Sequence, residues 1–272
     1  MKRFIDLEYD GFLKDHQFDE TPVFPLAVML AEFLSLEVKE FPYGITDIDV
    51  ETPILLRKNR KREFQLLKEK EKISYVNENN VSCVSGLYPD VWIPLIDSMT
   101  PRPVQPQLVY LGKKELYPDL LFHGPSFQAD LSVRGFDSFY SSVLIRSFED
   151  MDTSEKFKIW GEKFNNTPVN PILVDLALQI ACMHSMVMES TYMIPFGISR
   201  FEVSDNFRSG LKRAVINIEY HDENGYYCEC LTDDGKLLFI IHGLELKPLT
   251  KEIQPESLKL LEVLSSYVKK EI

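Results

Sequence analysis

Basic residues are scarce in this chain. Its 272 residues include 30 Lys and Arg against 42 Asp and Glu, which gives a formal net charge of −12. Because a general nucleic-acid-binding protein needs a basic face, this charge argues against nucleic acid as a partner. The sequence also lacks a glycine-rich phosphate loop, zinc-site spacing and a nucleophile elbow. We therefore expect no bound metal and look for chemistry carried by the protein's own side chains.

Cysteine is also rare, and its four positions lack the spacing of a metal site: Cys83, Cys182, Cys228 and Cys230. Two of them alternate along a strand-like run and so share one face. Free cysteine behaves as a small apolar residue in protein interiors. We therefore predict that these residues serve in packing.

The start of the chain lacks the apolar core of a signal peptide. No later stretch is long and apolar enough to span a membrane without charged or turn-forming residues that interrupt it. The sequence therefore predicts a cytoplasmic protein with no membrane partner.

Proline marks a boundary inside the chain. Prolines at 94, 101, 103 and 106 form a run that cannot be a central strand, because proline lacks a backbone donor. A chain of this length fits one large domain or two of ordinary size. We predict a first half at 1–98, a linker at 99–107, a second half at 108–250 and a C-terminal helix at 251–272.

A ten-residue segment occurs twice. Residues 22–31 and 168–177 are identical at six positions, and each copy opens a long apolar helix pattern. The distance of 146 residues between the copies is too long for a solenoid repeat and indicates two related halves. The copies differ where the first has Met29 and the second has Asp175.

Each half combines one apolar helix, predicted at about 25–38 and about 171–188, with several strands. A helix that is apolar all round must be covered on every side, and a curved antiparallel sheet can do this. The predicted fold class is α+β: a double hot-dog, with two antiparallel sheets each wrapped around a long central helix. Further elements are predicted as strands at 81–88, 132–134, 141–148, 214–220, 226–231 and 237–246, a hairpin turn at 233–235, and an amphipathic helix at 257–270.

Asp175 is the strongest candidate for a functional residue, because it is the only charge in the predicted apolar helix. Burial of a lone carboxylate is costly unless its pKa rises until the group is neutral. Asn170 is a suitable N-cap for this helix, and Gln179 lies one turn after Asp175 on the same face. The alternative is a structural aspartate that is satisfied by the backbone or by an arginine.

His16 stands just ahead of the first helix, in the other half of the chain. A lone histidine is more often structural or exposed than catalytic. The repeat changes this expectation, since it would bring one histidine and one carboxylate together where the halves meet. His16 and Asp175 could then form an acid–base pair.

Four short motifs follow one another along the chain. They are His16-x-x-x-Glu20-x-x-x-x-Pro25, the segment Leu-Phe-His-Gly-Pro-Ser-Phe-Gln at 121–128, Asp175-x-x-x-Gln179 and Ile-Pro-Phe-Gly at 194–197. Their order resembles that of dehydratase domains in polyketide and fatty-acid synthases. That family has His-x-x-x-Gly-x-x-x-x-Pro, Tyr-Gly-Pro-x-Phe, Asp-x-x-x-Gln and Leu-Pro-Phe. The resemblance covers about residues 8–249.

The resemblance implies loss of water from a β-hydroxyacyl thioester on an acyl carrier protein. His16 would be the general base for the α-proton, and a protonated Asp175 would donate to the departing hydroxyl. A backbone N–H at Gly124, or at the start of a central helix, could stabilise the thioester oxygen. It also implies substrate-binding roles, which we assign to Gln179, Gly124, His123, Pro25 and Glu20.

Two residues depart from the family pattern. Glu20 replaces a glycine, which could narrow the site, alter its polarity or occupy an unusual backbone angle. His123 replaces a tyrosine and could either take over its hydrogen bond or be a satisfied structural histidine. A double-bond isomerase, a product-template-like cyclase and a non-catalytic acyl- or carrier-binding module therefore stay open as alternatives.

The expected partners are an acyl carrier protein and other synthase components, and no cofactor is expected beyond the carrier's phosphopantetheine. The basic run at 57–62 could steer an acidic carrier protein or be a solvated loop. Arg208, Lys212 and Arg213 could serve equally. A doubled hot-dog supplies both half-sites, so a monomer or a homodimer is expected, and His184, His221 and His242 receive no role.

Overall fold

A computed structural model describes residues 1–37, 40–59, 61–94, 109–117, 119–149, 154–164, 167–206, 211–249 and 253–268. The helices are α1 (Leu26–Leu36), α2 (Lys113–Leu116), α3 (Lys158–Lys163), α4 (Pro171–Glu189) and α5 (Pro255–Val268). The strands are β1 (Lys2–Ile5), β2 (Gln17–Phe18), β3 (Thr21–Pro22), β4 (Tyr43–Val50), β5 (Arg62–Glu69), β6 (Lys72–Val76), β7 (Ser82–Leu87), β8 (Val109–Leu111), β9 (Asp130–Phe136), β10 (Tyr140–Ser147), β11 (Met193–Val203), β12 (Ala214–His221), β13 (Gly225–Leu231) and β14 (Leu237–Pro248).

Twelve of these strands form one antiparallel sheet, in the order β1-β5-β6-β7-β4-β11-β14-β13-β12-β10-β9-β8. The first five come from the first half of the chain and the other seven from the second half. The double hot-dog fold is therefore present, but its two predicted sheets are joined edge to edge. The join is the β4–β11 pair, where Gly44 lies opposite Glu202. A side chain at Gly44 would collide with the backbone of Phe201, so glycine permits this close pairing.

The two long helices are the ones that begin at the repeated segment. Pro25 and Pro171 stand at their starts, where a missing backbone N–H is tolerated. In α4 the Asn170 side chain caps the first turn by accepting a hydrogen bond from the Ile172 N–H at 2.8 Å. Both helices are buried along most of their length and pack against each other. This contact brings the two halves together around one continuous core.

Helix α4 passes the length and composition test for a membrane span, with a mean hydropathy of 1.6. The test tolerates two charged residues, and α4 contains Asp175 within its apolar stretch. However, 89% of that helix window is buried inside the protein. It is covered by β11, β12, β13 and α5, as the core helix of a hot-dog must be.

Several element boundaries differ from the prediction. The C-terminal helix begins two residues earlier than the amphipathic pattern suggested, and the predicted linker at 99–107 lies outside the described residues. The long strand β11 was missed, because its Ile-Pro-Phe-Gly segment contains two residues that weaken strands. A register shift in its pairing with β14 between Pro195 and Gly197 accommodates them. The four cysteines are free and buried, as expected for packing residues.

Candidate active site

The site lies where the loop before α1 meets the loop before β9. His16 forms an isolated antiparallel bridge with His123, and the Gly124 N–H donates to the Asp15 carbonyl at 2.6 Å. The Val23 N–H donates to the His16 carbonyl at 2.9 Å. The backbone on both sides of His16 is therefore held in place, and each half of the chain contributes one histidine.

The His16 ring has a defined orientation. Its Nδ1 lies 2.7 Å from the Val23 carbonyl oxygen, which can only accept, so the proton resides on Nδ1. The other nitrogen, Nε2, then carries a lone pair. Burial lowers the pKa of His16 to about 4. At neutral pH the imidazole is therefore uncharged and able to accept a proton at Nε2.

Asp175 lies in the second turn of α4 and is 4% exposed. Burial raises the pKa of its carboxyl to about 7, and a hydrogen bond from Gln179 partly opposes this rise. The Gln179 Nε2 donates to Asp175 Oδ2 at 2.7 Å and to the Phe127 carbonyl at 3.0 Å. The Tyr117 hydroxyl donates to Gln179 Oε1 at 2.7 Å. A chain of hydrogen bonds therefore orients the carboxyl.

The Asp175 carboxyl lies between two imidazoles. Its Oδ1 is 3.8 Å from His16 Nε2, and its Oδ2 is 3.3 Å from His123 Nε2. The centres of the two imidazole rings are 5.0 Å apart. The structure thus brings His16, His123, Asp175 and Gln179 into one buried cluster.

His123, whose role the sequence leaves open, packs against an aromatic side chain. The Phe122 ring stacks on its imidazole with the ring centres 4.1 Å apart, and Phe122 also contacts His16 edge-on. Burial, reinforced by the neighbouring His16, holds the pKa of His123 well below its usual value. Its Nδ1 is buried and has no hydrogen-bond partner among the described residues.

Gly124 stands where two loops approach each other closely. Its N–H is already engaged by the Asp15 carbonyl, so it is not a free donor for a thioester oxygen. Its φ of −85° is one that any residue adopts. A Cβ at this position would lie 2.8 Å from Asp15 Cα, so glycine is needed for close approach of the two loops.

Glu20 and Pro25 lie at the edge of the site. Glu20 is exposed at the turn between β2 and β3, with a φ of 62°, so its side chain is not part of the buried cluster. Of the expected effects, the unusual backbone angle is the one observed. Pro25 is buried and precedes α1, where its carbonyl accepts from the Val28 and Met29 N–H groups. Neither residue has a polar contact to the cluster among the described residues.

The sequence interpretation missed the residues that support the cluster. Asp15 is buried, and its carboxylate accepts hydrogen bonds from the Ser126 N–H at 3.1 Å, from the Ser126 hydroxyl and from Lys156. Asp15 and Ser126 are polar neighbours of motif residues, which is the only sequence signal they carry. Tyr117 and Lys156 gave none, because their contacts depend on long-range packing.

The remaining candidates lie away from this cluster. His184 is a core histidine, since its two ring nitrogens contact the Asp137 carbonyl and the Tyr226 hydroxyl. In the basic run, Arg57 and Lys58 are exposed and stand next to β3, while Lys61 and Arg62 lie near Asp6 and Glu78. Lys212 and Arg213 are exposed, and Arg208 lies outside the described residues.

The same cluster meets the elementary requirement for a metal site. One ligand atom from each of His16, His123 and Asp175 lies within 4.8 Å of the other two. Two imidazole nitrogens and one carboxylate oxygen are a donor set that zinc-like ions accept. A chelator control therefore belongs in any assay of this site.

Comparison with protein families gives a match to the polyketide synthase dehydratase N-terminal domain over residues 97–256. This span includes His123, Gly124, Asp175 and Gln179. His16 lies outside it. A comparison with curated proteins found no match.

Solved structures match nearly the whole chain. The dehydratase domain from the CurF module of curacin polyketide synthase is 16% identical, with a TM-score of 0.66 over 91% of this chain and 92% of that one. GphF dehydratase 1 is 14% identical, with a TM-score of 0.67 over 92% and 93%. Two further matches are inactive mutants of the CurK dehydratase, one with histidine changed to phenylalanine and one with aspartate changed to asparagine.

Proposed function

This chain belongs to the polyketide synthase dehydratase family, and we propose that it removes water from a β-hydroxyacyl thioester held on an acyl carrier protein. The product is the α,β-enoyl thioester. The observation that carries the proposal is the His16–Asp175 pair. An uncharged imidazole with a free Nε2 stands 3.8 Å from a carboxyl that keeps its proton near neutral pH.

His16 is the general base in this mechanism. Its Nε2 takes the proton from the α-carbon, and the electrons of that C–H bond form the new double bond. The imidazolium that results is stabilised by the Nδ1–H bond to the Val23 carbonyl. A base positioned in this way contributes about 10²–10⁴-fold to the rate.

Asp175 is the general acid. It gives its proton to the β-hydroxyl as the C–O bond breaks, and water leaves. The reaction ends with a protonated His16 beside an ionised Asp175. Return of that proton from His16 to Asp175, which are 3.8 Å apart, through the water just released restores the starting state. The substrate loses one water, and the protein returns to its original protonation state.

Support for the pair also comes from the similar structures. The inactive CurK mutants lack one histidine and one aspartate, the same residue types that meet here. Family membership further supports a carrier protein as the partner and its phosphopantetheine arm as the substrate tether. The cytoplasmic location, the absence of a cofactor and the monomeric or dimeric state stay predictions.

A double-bond isomerase is the second candidate. The observation that favours it is His123, a second uncharged imidazole beside the same carboxyl. An isomerase moves a proton between two carbons of an enoyl thioester and exchanges no water. The two activities are therefore separated by whether the substrate changes mass.

The test is mass spectrometry of a short β-hydroxyacyl pantetheine thioester and its enoyl partner, each incubated with the protein and a chelator. We expect wild type to remove or add one water, and His16→Ala and Asp175→Asn to lose at least about 10²-fold in rate. His221→Ala and Glu223→Gln are matched controls, because both side chains are exposed and lie outside the cluster.

Lack of water exchange by wild type, across chain lengths and with the thioester on a carrier protein, would reject the dehydratase. A shift of the double bond without a change in mass would favour the isomerase. Equal rates in wild type and in both pair variants would remove His16 and Asp175 from the mechanism.

A further inference from the structure

A dehydration of this kind also needs a donor for the thioester oxygen, since negative charge builds there as the α-proton leaves. The expected donor, the Gly124 N–H, is bound to the Asp15 carbonyl at 2.6 Å. The Ser126 N–H is bound to the Asp15 carboxylate. At the start of α4, the Ile172 N–H is bound to the Asn170 side chain. These three backbone donors are therefore occupied.

Besides the free Nε2 of His16, a second ring nitrogen of the cluster lacks a partner among the described residues. The Nδ1 of His123 is buried and makes no hydrogen bond to any residue that the structure describes. A buried polar atom in this state is rare, because it has lost its contact with water and gained none with protein. Its position beside the acid–base pair indicates that a bound molecule supplies the missing partner.

The surroundings of His123 favour one position for its ring proton. Gln179 donates to Asp175 Oδ2, and His123 Nε2 lies 3.3 Å from the same oxygen. Before substrate binds, a protonated Asp175 can donate to Nε2, which places the ring proton on Nδ1; the β-hydroxyl of a bound substrate then takes the place of Nε2 as acceptor of the carboxyl proton. Burial keeps the second ring nitrogen from gaining a proton, so His123 is uncharged. Nδ1–H is then a donor with no acceptor.

We propose that the Nδ1–H of His123 donates a hydrogen bond to the thioester carbonyl oxygen of the acyl substrate and stabilises the enolate that forms there. This inference rests on the proposed dehydration. The thioester carbon is bonded to the α-carbon, so its oxygen must lie near both His16 and Asp175. His123 contacts both, with its ring centre 5.0 Å from that of His16. A neutral imidazole is an effective donor to a carbonyl oxygen.

Two substitutions test the two nitrogens of the His123 ring separately. In His123→Asn the amide nitrogen can occupy the position of Nδ1, whereas in His123→Gln it can occupy the position of Nε2. We expect His123→Asn to keep kcat within about tenfold of wild type. His123→Gln should lose about 10²–10³-fold in kcat with little change in KM, as for loss of one oxyanion donor. Equal melting temperatures would exclude a folding defect in either variant.

A direct measurement does not depend on turnover. Crotonyl-pantetheine labelled with ¹³C at the thioester carbonyl is bound to Asp175→Asn, and its carbonyl stretch is recorded by infrared difference spectroscopy. We expect the band to move to lower frequency on binding. The double variant that combines Asp175→Asn with His123→Asn should show the same shift of the carbonyl band. The double variant that combines Asp175→Asn with His123→Gln should show no shift.

A band that does not move on binding, or one that moves equally with Gln at position 123, would overturn the role of His123. Equal kcat in the Asn and Gln variants would overturn it as well. Failure of the dehydration itself is recognised separately, as lack of water exchange by wild type while the labelled thioester still binds.

Discussion

His16 Nε2 lies 3.8 Å from Asp175 Oδ1, and burial has reversed the order of the two pKa values. In water an imidazole holds its proton to higher pH than a carboxyl does. Here the carboxyl has a pKa of about 7 and the imidazole one of about 4. Between these values the two groups are both uncharged, and no ion pair forms. Each group is then in the protonation state that dehydration needs.

This reversal predicts the pH profile of the free enzyme. Activity requires a neutral His16, so it falls as the pH drops through about 4. It also requires a protonated Asp175, so it falls as the pH rises through about 7. We expect kcat/KM, measured with a chelator present, to be level between these values and to decline on the alkaline side. An activity that keeps rising above neutral pH would contradict these roles.

The hydrogen bond from Gln179 to Asp175 predicts that removal of Gln179 will shift the alkaline side of the pH profile of kcat/KM. That bond lowers the pKa of Asp175, because it stabilises the ionised carboxylate. In Gln179→Met the pKa should rise, and the alkaline limb of the profile should move to higher pH. Tyr117→Phe removes the bond that orients the Gln179 amide and should move the limb in the same direction by less. An unchanged limb in both variants would show that Gln179 does not act on the carboxyl.

The close approach of two loops at Gly124 predicts that alanine at this position will disturb the site. In Gly124→Ala the new Cβ would meet Asp15 Cα and its carboxylate at 2.8 Å, which would displace the segment that carries His16. We expect a lower melting temperature and a loss in kcat of at least about tenfold, since small misplacements of catalytic groups are costly. Gly161→Ala is the matched control.

At Gly161, in α3, a Cβ meets nothing within 4 Å. Since alanine favours a helix interior over glycine, this control should be neutral or slightly stabilising. If both alanine variants behaved alike in activity and in melting temperature, the contact between Gly124 and Asp15 would not position His16.

The positive φ of Glu20, in an exposed turn, predicts that glycine at this position will stabilise the protein. Its φ of 62° is unfavourable for a residue with a Cβ and carries no cost for glycine. We expect Glu20→Gly to raise the free energy of unfolding by up to about 1 kcal/mol, with activity unchanged. Glu223→Gly is the control, because Glu223 is also exposed in a turn but has no positive φ. It should be neutral or destabilising, and equal effects of the two changes would reject the explanation.

Much of the fold could be predicted from the sequence, because burial on every side leaves a continuous apolar pattern in a helix. The repeated segments located α1 and α4, and alternation located most strands of the second half. The pairing of β4 with β11 left no such pattern. It depends on the close approach of Gly44 to the Phe201 backbone, and the sequence of neither strand predicts that contact.

The members of the site were predictable to the extent that their local surroundings were unusual. Asp175 stood out as a charge in an apolar helix, and Gln179 by its spacing from Asp175. The environment of His123 was not predictable, because the contacts of its two nitrogens involve residues distant in the chain. The sequence offers the Gly124 N–H, or one at the start of a central helix, as a donor to the substrate, because it does not reveal the Asp15 carbonyl that engages Gly124.

The sequence by itself determined the two buried helices, the carboxyl in one of them and the histidine ahead of the other. It did so because hydrophobic periodicity, proline and charge act locally and are read along the chain. Only the tertiary structure decided the distances, the protonation states and the surroundings of the two His123 nitrogens. Those properties arise from desolvation and from hydrogen bonds between the two halves, and neither exists until the halves pack together.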